Sequence, residues 1–366
     1  MKLYKKIFLK RWSQVEKLLT IAIPTYNRAN YLDLCLENIC KETNKYSNIV
    51  EIIVSDNCSD DNTSEVVEKY IKSGNKIIYI KNEKNIGMDR NFLQCLEKSI
   101  AKYFLMIGDD DVLLPGSLDK IFNYISDDDY GVVYLNSYPF YEKYDVIQKN
   151  RKSANNNYAK IYTNKNYFID DINYMMTFIS GNIVNKKYID NNINYDKLIK
   201  SEIIQFYWYM SAIMNAGKNI YIKDYCIAAK SENTGGYSIC NVFCANLFNA
   251  LDYFGEKGLS HNVVNRFKKK MLCDFLPIFI IKHKKSSGSF SEDDYFKLLY
   301  PINKNNIVFW LVTVPIIKLP LPFAKLWKKI ANNLIKNYEK IFVKKKILFD
   351  EDKGFYISDQ STRDAK

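Results

Sequence analysis

Histidine is nearly absent from this chain: His261 and His283 are the only two in 366 residues. The eight cysteines (35, 40, 58, 95, 226, 240, 244 and 273) are scattered, with no CxxC pair. A zinc site, whose ligands recur at short fixed spacings, is therefore disfavoured. Reduced thiols in a cytosolic core fit this usage better. No GxGxxG follows the first apolar run, which disfavours a dinucleotide-binding Rossmann enzyme, and no GxxxxGK[ST] occurs, which disfavours a P-loop NTPase. The apolar run 307–317 falls short of the roughly 20 residues a membrane-spanning helix needs. Extending it to 324 brings in Lys318 and three prolines. Residues 1–17 are basic, without the long apolar centre and small-residue cleavage site of a secretory leader.

What the chain does have is positive charge. Lysine and arginine exceed acidic residues to give a formal net charge of +12 and a pI near 9.0. Such an excess favours polyanionic partners: nucleic acid, an anionic membrane face or phosphate-bearing substrates. The hydrophobic and charged fractions, 47% and 26%, are those of a globular protein that buries a substantial core. The length predicts two domains, or one with an appendage.

The first third alternates between two periodicities. Short apolar runs at 18–23, 49–54, 76–80, 103–107 and 131–135 read as buried strands. Between them, 30–40, 63–72, 88–100 and 115–125 read as helices, the first with Asn30 as its N-cap. Such alternation predicts an α/β fold with a mostly parallel sheet covered by helices on both faces. Ligands of these sheets bind beyond the carboxyl ends of the strands. The polar loops at 24–28, 55–61, 85–91 and 108–111 are expected to converge there.

The loop after the fourth strand is Gly108-Asp109-Asp110-Asp111. Three adjacent carboxylates repel one another and raise each other's pKa unless a cation neutralises them. Hard oxygen donors of this kind suit Mg²⁺ or Mn²⁺, which in turn suit substrate phosphates. The competing reading is a solvated acidic turn that caps the helix starting near Pro115. The position of the run at a strand's carboxyl end, with three other polar loops beside it, favours the metal site.

Four short motifs stand in order on these elements. Ile21-Ala22-Ile23-Pro24-Thr25-Tyr26-Asn27-Arg28 resembles the opening strand and nucleotide loop of family 2 glycosyltransferases with the GT-A fold. Ile53-Val54-Ser55-Asp56-Asn57-Cys58-Ser59-Asp60, then Asn85-Ile86-Gly87 with Asn91, then the acidic run with Pro115-Gly116, resemble that family's further elements. The resemblance covers about residues 18–135. It implies transfer of a sugar from a nucleoside-diphosphate donor to an acceptor hydroxyl with a divalent metal, Mn²⁺ or Mg²⁺. It implies donor contacts from Pro24, Thr25, Asn27, Arg28, Asp56, Asn85 and Gly87. Asp110 aligns with the metal-binding aspartate. Gly108 stands where a first aspartate is common, so Asp109 takes over contact to ribose or metal, and Asp111 assists or orients. Arg90 is a further candidate near the phosphates, or a surface arginine.

Phe178-Ile179-Ser180-Gly181-Asn182-Ile183-Val184 resembles the family's glycine segment near the donor sugar, within the branch that includes abequosyltransferases. Inverting members use a carboxylate base, commonly in a Glu-Asp pair ahead of a "GxK" stretch. Gly217-Lys218-Asn219 matches that stretch, yet the family spacing lands on Gln205-Phe206. Glu202, expected one helical turn earlier on nearly the same face as Gln205, is the first choice for the base, and Asp196 the second. The loop 233–238 either closes over the donor phosphates or marks a domain boundary.

Beyond residue 241 the pattern turns helical. Phe323, Leu326, Trp327, Ile330, Leu334, Tyr338, Ile341 and Phe342 recur at helical spacing with lysines interleaved. A basic amphipathic helix of this kind suits an anionic bilayer surface, or else packs on a neighbouring domain or a dimer partner. The expected division is a basic extension (1–17), a GT-A domain (18–240, with halves 18–135 and 136–240), a helical membrane- or partner-associating region (241–350) and a loose tail (351–366). The expected protein is a metal-dependent glycosyltransferase, cytoplasmic and peripheral on the inner face of the membrane. It would act on a lipid-linked glycan acceptor and not on nucleic acid, with a homo-oligomer allowed. The alternative is a catalytically degenerate basic binding protein with the same fold.

Overall fold

The computed structural model describes residues 17–144, 158–231, 240–285, 295–346 and 355–359. The extension 1–16, the centre of the polar stretch after 144, the loop 233–238 and most of the tail lie outside the described residues. The chain divides into two compact units: residues up to 168, 175–233 and 355–366 form the first, and 169–174 with 234–354 the second.

The first unit is a mixed sheet flanked by helices. Strands β1 (Leu19–Thr25) and β2 (Val50–Asp56) are buried at every position, as central parallel strands with both faces covered must be. They pair in parallel, with Thr25 opposite Asp56, so both loops leave from one edge. β3 (Ile77–Lys81) continues this parallel set beyond β2, and β4 (Tyr103–Met106) lies parallel on the other side of β1. Helices α1 (Ala29–Thr43), α2 (Thr63–Lys72) and α3 (Met88–Lys98) connect these strands.

Beyond β4 the pattern changes. After the short β5 (Val112–Leu113) and α4 (Ser117–Ile125), β6 (Val132–Phe140) does not pair with β4. β8 (Asn182–Asn185), from the stretch expected to lie near the donor sugar, inserts between them and runs antiparallel to both. β9 (Asn219–Lys230) pairs in parallel with β6, while β7 (Tyr158–Tyr162) pairs antiparallel with β9. Helix α5 (Ile204–Asn215) precedes β9, with every residue from Ile204 to Ile213 buried. In the tail expected to be loose, Phe355–Asp359 forms β10, antiparallel to β7. Its FYISD sequence is rich in strand-forming aromatic and β-branched residues.

Helix α1 starts differently from expectation. It begins at Ala29, its N-cap is Arg28, and no side chain of its own caps it. Instead the Ala29 amide donates to Asp61 Oδ2 (2.9 Å), a carboxylate from the loop after β2. The exposed helix donors are thus satisfied from a distant loop, and the anion sits where the helix dipole favours it. Among the described residues no disulfide joins the eight cysteines, and all but Cys58 are buried.

The second unit is helical: α6 (Leu247–Glu256), α7 (His261–Lys270), α8 (Leu276–His283), α9 (Tyr295–Asn303), α10 (Val314–Lys318) and α11 (Leu321–Lys346). Three wider π-helical turns interrupt it, at Asn241–Asn246, Met271–Phe275 and Phe309–Thr313. The Thr313 hydroxyl donates to the Leu272 carbonyl (2.9 Å), so one π turn satisfies a backbone acceptor of another. Among the described residues no helix is long and apolar enough to cross a membrane.

Candidate active site

Four loops leave the carboxyl ends of β1, β2, β3 and β4, and side chains knit them together. Asn27 adopts φ +53°, a left-handed conformation that asparagine tolerates better than most residues. Its amide donates to Ser59 Oγ (2.9 Å) and its Oδ1 accepts from the Asp60 amide (2.9 Å). Asp56 is fully buried. Its Oδ1 accepts from the Ser59 amide (2.8 Å) and its Oδ2 from the Tyr79 hydroxyl (2.7 Å). Asn85 Oδ1 accepts from Asn57 Nδ2 (2.8 Å) and from the Gly87 amide (2.9 Å). Gly87 sits at φ +84°, which glycine adopts at no steric cost as the chain enters α3. These residues, expected at the donor, hold the loops in register.

The acidic run is where side chains converge. Asp109, Asp110 and Asp111 are all buried. Asp109 Oδ2 accepts from the hydroxyl of Thr25, the last residue of β1 (2.7 Å). The Arg28 guanidinium spans two carboxylates, with Nη2 2.5 Å from Asp110 Oδ2 and Nε 3.3 Å from Asp109 Oδ1, and lies 4.9 Å from the Tyr31 ring centroid. Burial opposes the charge on Arg28, but Asp109 and Asp110 outweigh it and raise its pKa. Asp111 faces the other way. Its Oδ2 accepts from the Ser180 hydroxyl (2.5 Å) and its Oδ1 from the Lys230 amide at the end of β9 (2.8 Å). Ser180 Oγ in turn accepts from the Gly108 amide (2.9 Å). Sequence reasoning assigned no role to Ser180 or Lys230, although the segment holding Ser180 stood out.

Space at Gly108 is tight. A Cβ there would meet Asp110 Oδ1 at 3.1 Å and Asp111 Oδ2 at 3.2 Å. An aspartate at this position would crowd a cluster that already holds three carboxylates.

The electrostatics of the run suit a cation. Burial pushes the Asp109 carboxyl up to about 7, with Arg28 opposing and Asp110 adding to the rise. Burial and then Asp110 push Asp111 to about 7 as well, against the bonds from Ser180 and Lys230. Three acids with one guanidinium are short of positive charge, and their hard oxygens fit Mg²⁺ or Mn²⁺. Asp109 and Asp110 share the Arg28 guanidinium and are the candidate pair to hold it, whereas Asp111 turns towards Ser180 and the Lys230 amide. Among the described residues no group of three or more acidic, histidine or cysteine side chains is arranged to hold a metal alone. Oxygens from a phosphate-bearing ligand would complete the shell.

The two candidate bases are placed differently. Asp196 lies in the turn Tyr195–Leu198, with its side chain 85% exposed and 3.8 Å from Arg90 Nη1. Arg90 also pairs with Glu97, as its surface reading expects. Glu202 is not on the helix face expected for it. It precedes α5, at φ +57°. Its amide donates to Asp89 Oδ2 (2.9 Å). Burial, and then the Asp89 charge, raises the Glu202 pKa. Asp89 is a site residue that sequence reasoning missed. It is buried in the first turn of α3, and its Oδ1 has no hydrogen-bond partner. Gln205 Oε1, on α5 where a Glu-Asp pair was expected, is likewise buried without a partner.

Comparison with known proteins bears on the family and the fold. The model of the glycosyl transferase family 2 matches residues 20–192, which span β1 to β8 and hold the whole acidic run. The chain carries a family 2 glycosyl transferase domain. Over 109 residues it is 38% identical to abequosyltransferase RfbV of Salmonella typhimurium, a match covering 30% of this chain and about a third (32%) of that relative. In architecture the chain is similar to Staphylococcus aureus TarS 1-349 in complex with UDP, with a TM-score of 0.55 and 16% identity over 94% of this chain and 96% of that one. It is also similar to the mannosyltransferase PcManGT of Pyrobaculum calidifontis in complex with GDP-Man and Mn²⁺, with a TM-score of 0.50 and 12% identity over 96% and 95%. At these identities the two structures establish the GT-A fold. The family 2 domain therefore begins at β1, and its carboxyl-end loops form the candidate site.

Proposed function

We propose that the protein is a glycosyltransferase that moves a sugar from a nucleoside-diphosphate donor to an acceptor hydroxyl. One observation carries this reading: Asp109 and Asp110 at the end of β4 meet Arg28 and Thr25 at the end of β1, inside a family 2 domain. Asp109 and Asp110 would hold Mn²⁺ or Mg²⁺, which when bound neutralises charge developing on the leaving diphosphate. The raised pKa values of Asp109 and Asp111 support a cation there, and so does the Mn²⁺ bound to the similar mannosyltransferase.

Arg28 has the fixed fork of donors that suits phosphate oxygens. It is held over the carboxylates in a pose from which it reaches a bound diphosphate. Thr25 fixes the Asp109 carboxylate, and Ser180 with the Lys230 amide fixes Asp111, so the acidic loop is set before donor arrives.

In the reaction the acceptor oxygen bonds to the anomeric carbon while the bond from that carbon to the diphosphate oxygen breaks. The hydroxyl proton passes to a carboxylate, and a single displacement inverts the centre. Glu202 is the favoured base: burial and Asp89 raise its proton affinity, and the Asp89 bond to its backbone holds it in place. Asp196, exposed and facing Arg90, is the second candidate. The acceptor is a lipid-linked glycan at the cytoplasmic face of the membrane, in bacterial surface glycan assembly.

Thermal-shift titration with UDP- and GDP-sugars, followed by donor hydrolysis in Mn²⁺, tests the reading. Stabilisation by one nucleotide sugar and metal-dependent turnover are expected. Absence of both removes the transferase reading in favour of a catalytically silent member of the fold.

A further inference from the structure

In the second unit, helix α11 presents Phe323, Leu326, Ile330 and Leu334 to solvent, at exposures of 60, 56, 41 and 62%. At 3.6 residues per turn these four fall within about 80° of arc. The packed side lies about 100–120° round the helix from the middle of the stripe, where Ala324 and Ala331 are buried. The exposed stripe is therefore a second apolar face, additional to the one the fold uses. It continues onto the preceding π turn. The Trp327 indole N–H donates to the Leu311 carbonyl (3.0 Å), which brings Leu311 (60% exposed) and Trp310 (43% exposed) alongside.

The charge carried by this stretch of sequence has one sign. Residues 295–335 contain Lys297, Lys304, Lys318, Lys325, Lys328 and Lys329, and no aspartate or glutamate. Lys325 and Lys329 are exposed, about 100° and 60° round the helix from Leu326 on the same side of the stripe. Trp310 and Tyr300 are half-exposed aromatics in the same region, 6.0 Å apart between ring centroids.

We infer that this stripe, with Trp310 and Leu311, is a docking face for an anionic lipid surface. Apolar side chains enter the headgroup boundary, amphipathic aromatics mark its level, and lysines meet lipid phosphates. The charge pattern disfavours a second copy of the chain: a two-fold contact would set the lysines of this stretch against one another, and the stretch holds no acid of its own to pair with them. The stripe runs along α11 from Phe323 to Leu334, the arrangement of a helix that lies in the interface plane. This inference goes beyond the transfer reaction and does not depend on it.

The test is co-flotation of the full chain with phosphatidylcholine vesicles, with and without phosphatidylglycerol. Binding to the anionic vesicles alone is expected, weakening as salt rises. Lys325→Gln with Lys329→Gln removes two lysines, each contributing about fivefold, so affinity falls on the order of 25-fold. Phe323→Ser with Leu326→Ser abolishes binding. Since these side chains are exposed, melting temperatures stay at the wild-type value in both variants. Wild-type protein that ignores anionic vesicles at low salt overturns the proposal. So does wild-type affinity in both variants, or a concentration-dependent dimer that the serine substitutions dissolve.

Discussion

If Asp109 and Asp111 stand near 7 because the site lacks positive charge, cation binding must expel protons. At pH 7 each carboxyl is about half protonated, so the free site carries about one proton between them. A divalent ion beside both groups lowers both values and releases that proton. At pH 6 the release rises to nearly two, and at pH 8.5 it falls close to zero. Isothermal titration of Mn²⁺ in two buffers of different ionisation enthalpy measures this number, since the apparent heat differs by the released protons times the difference in buffer enthalpy.

Stability without cation follows from the same values. Both folded-state values lie above the carboxyl's ordinary 3.8, so the folded state holds more protons than the unfolded state between about pH 4 and 7. Stability is therefore greatest below that window and falls as pH rises through it, by on the order of 4 kcal/mol for each carboxyl. Added Mn²⁺ at pH 7.5 restores part of the loss. Heats of Mn²⁺ binding that are the same in both buffers at pH 6 and 7 would refute the reasoning.

Other consequences can be checked separately. Ser180→Ala strips Asp111 of its hydroxyl donor and costs about 1–3 kcal/mol in denaturant unfolding. Gly108→Asp restores the aspartate common in the family, yet it lowers both melting temperature and Mn²⁺ affinity, because Asp110 and Asp111 already fill the space. Glu202→Gln reduces turnover by about 10²-fold or more with little change in donor affinity, whereas Asp196→Asn stays near wild type. The reverse order of effects would transfer the role of base to Asp196.

The parallel half of the sheet was legible because β1, β2 and β4 bury both faces, which leaves uninterrupted apolar runs that end in polar loops. The acidic run was legible for the same reason, through its place after β4. What stayed hidden depends on contacts between distant parts of the chain. Asp61 caps α1 across 32 residues, and Ser180 holds Asp111 across 69. Local pattern reports neither. β8 enters between β4 and β6 as only four residues, too short for alternation to register. Glu202 was placed on a helix face because its spacing from Gln205 fits one turn, but its backbone turns left-handed and α5 starts after it. Asp56, Asn27 and Asn85 carry the expected residue types at the expected loops, and their hydrogen bonds go to neighbouring loops.

The central claim is that the carboxylates after β4 hold a cation for transfer from a nucleotide sugar. The most direct measurement is the release of nucleoside diphosphate from the donor sugar that the thermal-shift screen selects, by wild type and Asp110→Asn, with Mn²⁺ and with chelator. Wild type is expected to turn over in Mn²⁺ and to stop in chelator, and Asp110→Asn to lose about 10²-fold or more. Full turnover in chelator, or wild-type turnover by Asp110→Asn, would contradict it.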